Sequence, residues 1–298
     1  MAQTLYKFSE VKYNGDITVA GGFPHPKQGV IMKKTIITII VLAALVGVLA
    51  LSLTACEPTE KVVVVGYTIY SPMNYFENNK LVGFDTELAK AVFQELGYTV
   101  KFKEINWENK YIDLNSGNID CIWNGFTSNG AEDDGTPKSN LVDFSYKYMV
   151  NRQCVVVQSS NNATTFDELN SKAVTGVAER GSAGEDYIES NISDCTLKSA
   201  TTQMTAINEV NAGTCTFAVV DFLLATSIIG QGNFANLKII KELNSEDEQY
   251  AIGFRKGDDL RNKVNEVLQK FLEDGTTRGI AEKYGLENAI ITDYSVLG

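Results

Sequence analysis

Three short stretches of this chain place chemically useful groups directly after runs that read as buried strands. Phe217 to Val220 is a continuous apolar run, and it ends at Asp221. A carboxylate just past a strand's carboxyl end can meet an ammonium group; it can equally cap the helix containing Leu223 and Leu224. Ala173 to Val177 leads into Arg180-Gly181-Ser182-Ala183-Gly184-Glu185, which opens a helix. Free amides and the positive end of a helix dipole suit a carboxylate or other anion there, and the same residues also read as a plain Ser-capped helix. Ile119 to Phe126 is the third run. It stops at Asn124-Gly125, and Phe126, Thr127, Ser128 and Asn129 supply an aromatic face, hydroxyls and backbone amides.

The chain carries one histidine, His25, and none from Cys56 onward. Over that part a Ser-His-Asp or Cys-His nucleophile and a His-ligated zinc site are excluded. Acid–base work would fall to carboxylates, Lys or Tyr. Cys121 and Cys154 sit in apolar runs and read as small core residues. Cys195 and Cys215 precede strand-like runs, so a disulfide between them is conceivable, although sequence does not reveal connectivity. No CxxC occurs. The Glu132-Asp133-Asp134 cluster in the polar stretch 129–140 does not match the spacing of an EF-hand loop and reads as a solvated acidic loop. No metal site and no cofactor are implied.

These groups must be positioned by alternating strands and helices. Ile119, Cys121, Ile122 and Trp123 are too continuous for a half-exposed strand and suit a parallel strand covered on both faces. Gly117 before them fits a helix C-terminal cap, having no Cβ to clash at positive φ. Val62 to Val65 is a β-branched strand closed by Gly66. Asp85 is placed to cap a helix running to Leu96, with Leu88, Val92 and Leu96 on one face and Gly97 as stop. Tyr98 to Ile105, Cys154 to Val157, Leu197 to Ala200 and Tyr250 to Phe254 read as further strands, and Gln203 to Val210 as a helix. Asp259 to Tyr284 carries Leu260, Val264, Val267, Leu268 and Phe271 at helical spacing, a stripe that reads as core. Such alternation implies a mainly parallel α/β sheet, and open sheets of that kind bind ligands past the carboxyl ends of their strands.

The N-terminal part reads as an address. Residues 1–31 show no amphipathic period and are expected to be an extension outside the native protein, whose start is then Met32. Met32-Lys33-Lys34, the uncharged apolar stretch Thr35 to Leu51 and the small residues before Cys56 describe a secretory signal over 32–55. The Leu53-Thr54-Ala55-Cys56 end resembles a bacterial lipobox, which would make Cys56 the lipidated first residue of the mature chain; a signal anchor is the competing reading. Removing the five Lys/Arg and two Asp/Glu of residues 1–55 from the chain's 26 and 37 leaves 21 and 35, a net charge of −14. That balance argues against nucleic acid, whose binding rests on neutralising phosphates.

Taken in order, a set of short pieces matches a family. They are Val65-Gly66, Tyr70-Ser71-Pro72, Leu81-Val82-Gly83-Phe84-Asp85, Asn106-Trp107, Leu114-Asn115-Ser116-Gly117-Asn118-Ile119-Asp120 and Asn124-Gly125-Phe126-Thr127. Val142-Asp143-Phe144-Ser145, Gly181-Ser182-Ala183-Gly184-Glu185, Ala218-Val219-Val220-Asp221, Arg255-Lys256-Gly257-Asp258 and Ile280-Ala281-Glu282-Lys283-Tyr284-Gly285 continue it. The chain from Cys56 onward resembles the amino-acid-type (family 3) extracellular solute-binding proteins of ABC importers, which have the type II periplasmic-binding fold. The resemblance implies a two-lobed α/β protein with mainly parallel sheets and two crossover hinge strands. Residues 57–150 plus 254–298 would form lobe 1 and 151–253 lobe 2, closing on a ligand by hinge motion. It implies a monomer, lipid-anchored through Cys56 at the outer face of the bacterial cytoplasmic membrane, that delivers an amino acid or small amine to an ABC permease and its ATPase. Carried over by position, Tyr70 and Trp107 would stack on the ligand, with Phe126 beside them. Asn124, Gly125 and Thr127 would hydrogen-bond it, Gly181, Ser182 and Ala183 would offer amides to a carboxylate, and Asp221 would pair with an α-ammonium.

One departure matters. Relatives place a carboxylate-clamping arginine six or seven residues after the glycine matching Gly125, where this chain has Ala131 and Glu132. Neither can reproduce a bidentate guanidinium grip. Arg180 or Lys138 could substitute, the amides at Ser182 and Ala183 could act alone, or the ligand could lack the α-carboxylate. Two other functions remain beside the importer receptor. One is a dehydratase-like enzyme on the same fold, with Glu179 or Glu132 as a proton donor of raised pKa. The other is a sensor acting through a separate partner.

Overall fold

A computed structural model of the chain describes residues 60–132 and 134–294. The extension 1–31, the leader 32–55, Cys56 and Asp133 lie outside the described residues.

The chain first builds β1 (Lys61–Tyr67), a β2–β3 hairpin (Tyr75–Glu77, Lys80–Val82), α1 (Phe84–Glu95), β4 (Tyr98–Glu104), α2 (Lys110–Asn115) and β5 (Cys121–Ile122). After α3 (Lys138–Leu141) and β6 (Asp143–Phe144), β7 (Met149–Asn151) leads to β8 (Gln153–Gln158), β9 (Thr175–Glu179) and α4 (Ala183–Asn191). Then come β10 (Thr196–Ala200), α5 (Gln203–Asn211), β11 (Phe217–Asp221), α6 (Phe222–Ile228) and β12 (Leu237–Asn244). The chain returns through β13 (Glu248–Tyr250) to β14 (Gly253–Phe254) and ends in α7 (Leu260–Glu273) and α8 (Thr276–Glu282).

Two five-stranded sheets result. The first has the order β4-β1-β5-β14-β6, the second β10-β9-β11-β8-β12. In the first, β1 pairs in parallel with β4 and β5, while β14 runs antiparallel to both its neighbours. In the second, β9 pairs in parallel with β10 and β11, and β8 is the antiparallel strand. The antiparallel pair β7–β13 joins them, matching Glu248 to Asn151 and Tyr250 to Met149. These are the two crossing strands of a two-lobed type II periplasmic-binding architecture.

Burial follows the sequence pattern. Val63, Val65, Cys121 and Ile122 are inaccessible, as a strand covered on both faces requires. α1 presses Leu88, Val92 and Phe93 onto that sheet, and the Phe93 ring meets Trp123 edge-on at 6.0 Å between centroids. Each such side chain contributes about 1.5–3 kcal/mol by leaving water. Gly117 ends its helix at φ +76°.

Five local expectations change. Only Cys121 and Ile122 of the run 119–126 pair as a strand, because the chain turns at Asn124-Gly125. Residues 250–254 are split between β13 and β14, and the long C-terminal helix breaks at Asp274-Gly275 into α7 and α8. Asp85 is not an N-cap: Gly83 holds that place, and the Asp85 side chain turns inward. Cys195 and Cys215 are both buried free thiols, as are Cys121 and Cys154.

Candidate functional site

The strand ends of both sheets face one cleft, whose first wall comes from the turn after β5. Asn124 is 4% exposed and its amide is fully used. Its Oδ1 accepts from the Thr68 amide (2.9 Å) and hydroxyl (2.5 Å), and its Nδ2 donates to the Thr68 carbonyl (3.0 Å) and Asn74 Oδ1 (2.7 Å). The Gly125 amide donates to Asp85 Oδ2 at 2.8 Å, and the Tyr148 hydroxyl donates to the same oxygen at 3.0 Å. This wall therefore commits the Asn124 side chain and the Gly125 amide to partners within the protein. Burial pushes the Asp85 carboxyl up to about 7, against the Gly125 and Tyr148 bonds. Gly125 sits at φ +57°, where a Cβ would come within 2.6 Å of the Tyr70 ring. The Tyr70 and Tyr250 hydroxyls are 2.8 Å apart. Trp107 and Phe126, edge to face at 5.4 Å, and Thr127 complete the wall.

The facing wall carries acids. Asp221 Oδ1 accepts from Asn151 Nδ2 (2.8 Å) and Gln153 Nε2 (2.6 Å), and Oδ2 accepts from Gln203 Nε2 (2.5 Å). Asp221 occupies the N-cap position of α6, yet its side chain makes no capping bond, so the capping reading does not hold. Among the described residues no ion pair reaches it. Burial raises its pKa despite the amide donors. The same Asn151 and Gln153 amides donate to Glu248 Oε1 at 2.5 and 2.8 Å, and burial with the Asp221 charge raises Glu248 as well. Glu179, at the end of β9, is also buried; burial first and the Asp221 charge second push it up to about 8, against the pull of Lys110. Its Oε1 has no hydrogen-bond partner.

At the start of α4, the Ser182 hydroxyl accepts from the Glu185 amide, as an N-cap should. The Gly181 amide goes to Glu185 Oε2 (2.7 Å) and the Ser182 amide to the Glu179 carbonyl (3.2 Å). Of the three amides expected to hold a carboxylate, Ala183 is the one without a protein acceptor among the described residues.

Two lysines are buried in the cleft. Lys110 Nζ donates across it to the Gly181 carbonyl (3.1 Å), lies 3.7 Å from Glu132 and stands over the Trp107 and Tyr111 rings. Burial pulls its ammonium below the usual range, opposed by Glu132. Lys138 Nζ reaches the cleft beside Ala183 and is 4.0 Å from Asp186. Arg180 is not among them: its side chain is 58% exposed, on the rim, 3.8 Å from Glu108. Glu132, at the position of the missing arginine, accepts from the Tyr111 hydroxyl. The structure thus gathers Tyr70, Trp107, Asn124, Gly125, Phe126, Thr127, Gly181, Ser182, Ala183 and Asp221 around one cleft. It adds Lys110, Gln153 and Gln203, which sequence reading passed over as helix and strand residues. Among the described residues no cluster fits a metal ion, and no helix is long and apolar enough to cross a membrane.

The cleft's two-walled construction has known counterparts. The family model for bacterial extracellular solute-binding proteins, family 3, matches residues 62–287. The arginine-binding extracellular protein ArtP of Bacillus subtilis is 24% identical over 264 residues, covering 85% of this chain and 98% of that one. An ancestral arginine-binding protein bound to arginine superposes with a TM-score of 0.68 at 29% identity, covering 76% of this chain and 98% of that one. An ancestral amino-acid-binding protein described as a precursor of cyclohexadienyl dehydratase gives 0.67 at 27%, covering 75% and 95%.

Proposed function

The chain belongs to the bacterial extracellular solute-binding proteins of family 3, and from that premise we propose that its cleft captures an amino acid or a related small amine and delivers it to an ABC permease. The observation that carries this is Asp221: a buried carboxylate ringed by three neutral amide donors, with no cation paired to it among the described residues. An α-ammonium supplies the missing charge, and charge-assisted bonds of that kind are the strong ones. The Asn124 and Gly125 carbonyls and the Thr127 hydroxyl accept its remaining protons, and Tyr70, Trp107 and Phe126 line the ligand's apolar part. Lys138 and the Ala183 amide stand in for the missing arginine at the α-carboxylate, with a point charge where a fork would otherwise be.

The protein acts as a monomer and a binder, held at the outer face of the cytoplasmic membrane by lipid on Cys56. Arginine-binding relatives such as ArtP support the ligand class. The deciding experiment is a thermal-shift screen against amino acids and their decarboxylated amines, with the ligand recovered and weighed afterward. A ligand at 100 times its dissociation constant stabilises by about 2.7 kcal/mol. Stabilisation by amino acids, recovered unchanged, is the expected result. Stabilisation by amines alone would remove the carboxylate half of the reading. Consumption of the ligand would replace it with the dehydratase-like one, in which Glu179 is the acid. Silence from both sets would end it.

A further inference from the structure

Glu179 is 4% exposed, lines the cleft, and leaves Oε1 without a donor. Asp221, Glu185 and Asn124 have donors within the protein. Asp221 holds three amide donors, Asn124 is saturated, and Glu185 accepts from the Gly181 amide and the Ser199 hydroxyl. Lys110, whose charge reaches Glu179, is already committed to the Gly181 carbonyl and to Glu132. A buried acceptor without a partner is uncommon in a folded protein and calls for a donor from outside it.

The charges point the same way. Lys110 and Lys138 face Glu179 and Asp221, with Glu248 directly behind Asp221 and Glu132 behind Lys110. A zwitterion adds one charge of each sign and leaves the acidic excess in place. A ligand with a second cation reduces it. Trp107 and Tyr70 flank the route with ring surface suited to a methylene stem.

Building on the reading of this cleft as an amino-acid site, we propose that Glu179 receives a side-chain cation of the ligand, so that the protein selects dibasic amino acids over neutral ones of the same length. Asp221 takes the α-ammonium and Glu179 the distal ammonium or guanidinium. Because burial and Asp221 keep a proton on Glu179 near neutral pH, binding of the second cation expels that proton to the buffer.

Isothermal titration of arginine against citrulline and lysine against norleucine tests this, since each pair differs chiefly in the distal charge. The wild-type protein is expected to bind the charged member about tenfold tighter or more, the range of a charge-assisted bond. The charged ligand releases more protons at pH 7 than its neutral partner, measured in buffers of different ionisation enthalpy, since any release at the Asp221–Glu248 pair is common to both. In Glu179→Gln the preference falls below about threefold and the excess proton release of the charged ligand disappears. Equal wild-type affinity for arginine and citrulline, or an undiminished preference in Glu179→Gln, overturns the proposal while leaving the amino-acid site in place. Failure of all four ligands and of other amino acids refutes the site itself, and the proposal with it. The wild-type comparison stands even if the variant does not fold.

Discussion

Asp221 and Glu248 share their hydrogen-bond donors: Asn151 Nδ2 and Gln153 Nε2 each reach both carboxylates, at 2.5–2.8 Å. Asp221 ends a strand of the second sheet, whereas Asn151 and Glu248 face each other on the two crossing strands. The carboxylate proposed to read a ligand ammonium is therefore bonded to a crossing strand. Charge arriving at Asp221 would change the electrostatic load on the strands that connect the two sheets.

This arrangement fixes the sign of a pH effect. Glu179 (about 8), Asp85 (about 7) and the Asp221–Glu248 pair all have native pKa values raised by burial. The native state then holds protons that the unfolded chain has released near pH 4, so the stability these groups confer is complete below about pH 4 and is lost as pH rises through 7 to 8. One such group contributes a slope of up to about 1.4 kcal/mol per pH unit. The melting temperature of the ligand-free protein should fall between pH 5.5 and 8. Glu248→Gln keeps an oxygen to accept both amides and should flatten that fall. A melting temperature that rises across the window would contradict the burial of these carboxyls.

Removing the charge at Asp221 should cost binding far more than folding. Asp221→Asn keeps the shape and forfeits the charge-assisted bond to an ammonium, about 1.5–3 kcal/mol or roughly 10- to 150-fold in dissociation constant. Titration calorimetry beside a circular-dichroism melt separates the two effects. An unchanged affinity would place the ammonium elsewhere.

Much of this geometry was legible from strand ends. Tyr70, Asn124 and Asp221 lie far apart in sequence, yet each follows an apolar run, and parallel strands deliver their carboxyl ends to one side. The polar bookkeeping was not legible. Thr68, Asn74 and Asp85 consume the side chain of Asn124 and the amide of Gly125, and those long-range partners leave no local pattern. Nor did residue type separate Glu179 from Arg180. Adjacent residues of extended chain point to opposite sides, so one enters the cleft and the other the solvent. Lys110 was hidden for a related reason: on a short helix a lysine reads as surface, and only the packed rings of Trp107 and Tyr111 show that its stem runs inward.

The two cations proposed in place of the missing arginine are now distinguishable. Lys138 is buried beside Ala183, whereas Arg180 is exposed and faces Glu108. Lys138→Met should weaken amino-acid binding about tenfold or more and leave a decarboxylated amine unaffected. Arg180→Ala should change either by less than about twofold, as exposed ion pairs contribute about 0–1 kcal/mol. Competition titration with an amino acid and its amine reads both ratios. A larger loss in Arg180→Ala would mean that this side chain swings inward on closure.

Gly125 joins the ligand loop to the hinge through contact alone. At φ +57° an alanine would be strained there, and its Cβ would meet the Tyr70 ring at 2.6 Å and the Tyr250 ring at 3.0 Å. Those rings are tied to each other at 2.8 Å, and the Tyr250 hydroxyl helps hold the Asp221 carboxyl down. Gly125→Ala should therefore lower stability by about 1–3 kcal/mol, combining left-handed strain with overpacking, and weaken binding about tenfold through a displaced Asp221 shell. Gly130 separates the two contributions. It sits at φ +94° with nothing near its absent Cβ, so Gly130→Ala should show the strain, about 1 kcal/mol, and leave affinity unchanged. Urea unfolding and calorimetry on the two variants measure both quantities. Equal affinities in the pair would show that the tyrosines adjust without moving Asp221, and that the amides of Asn151, Gln153 and Gln203 keep it in place.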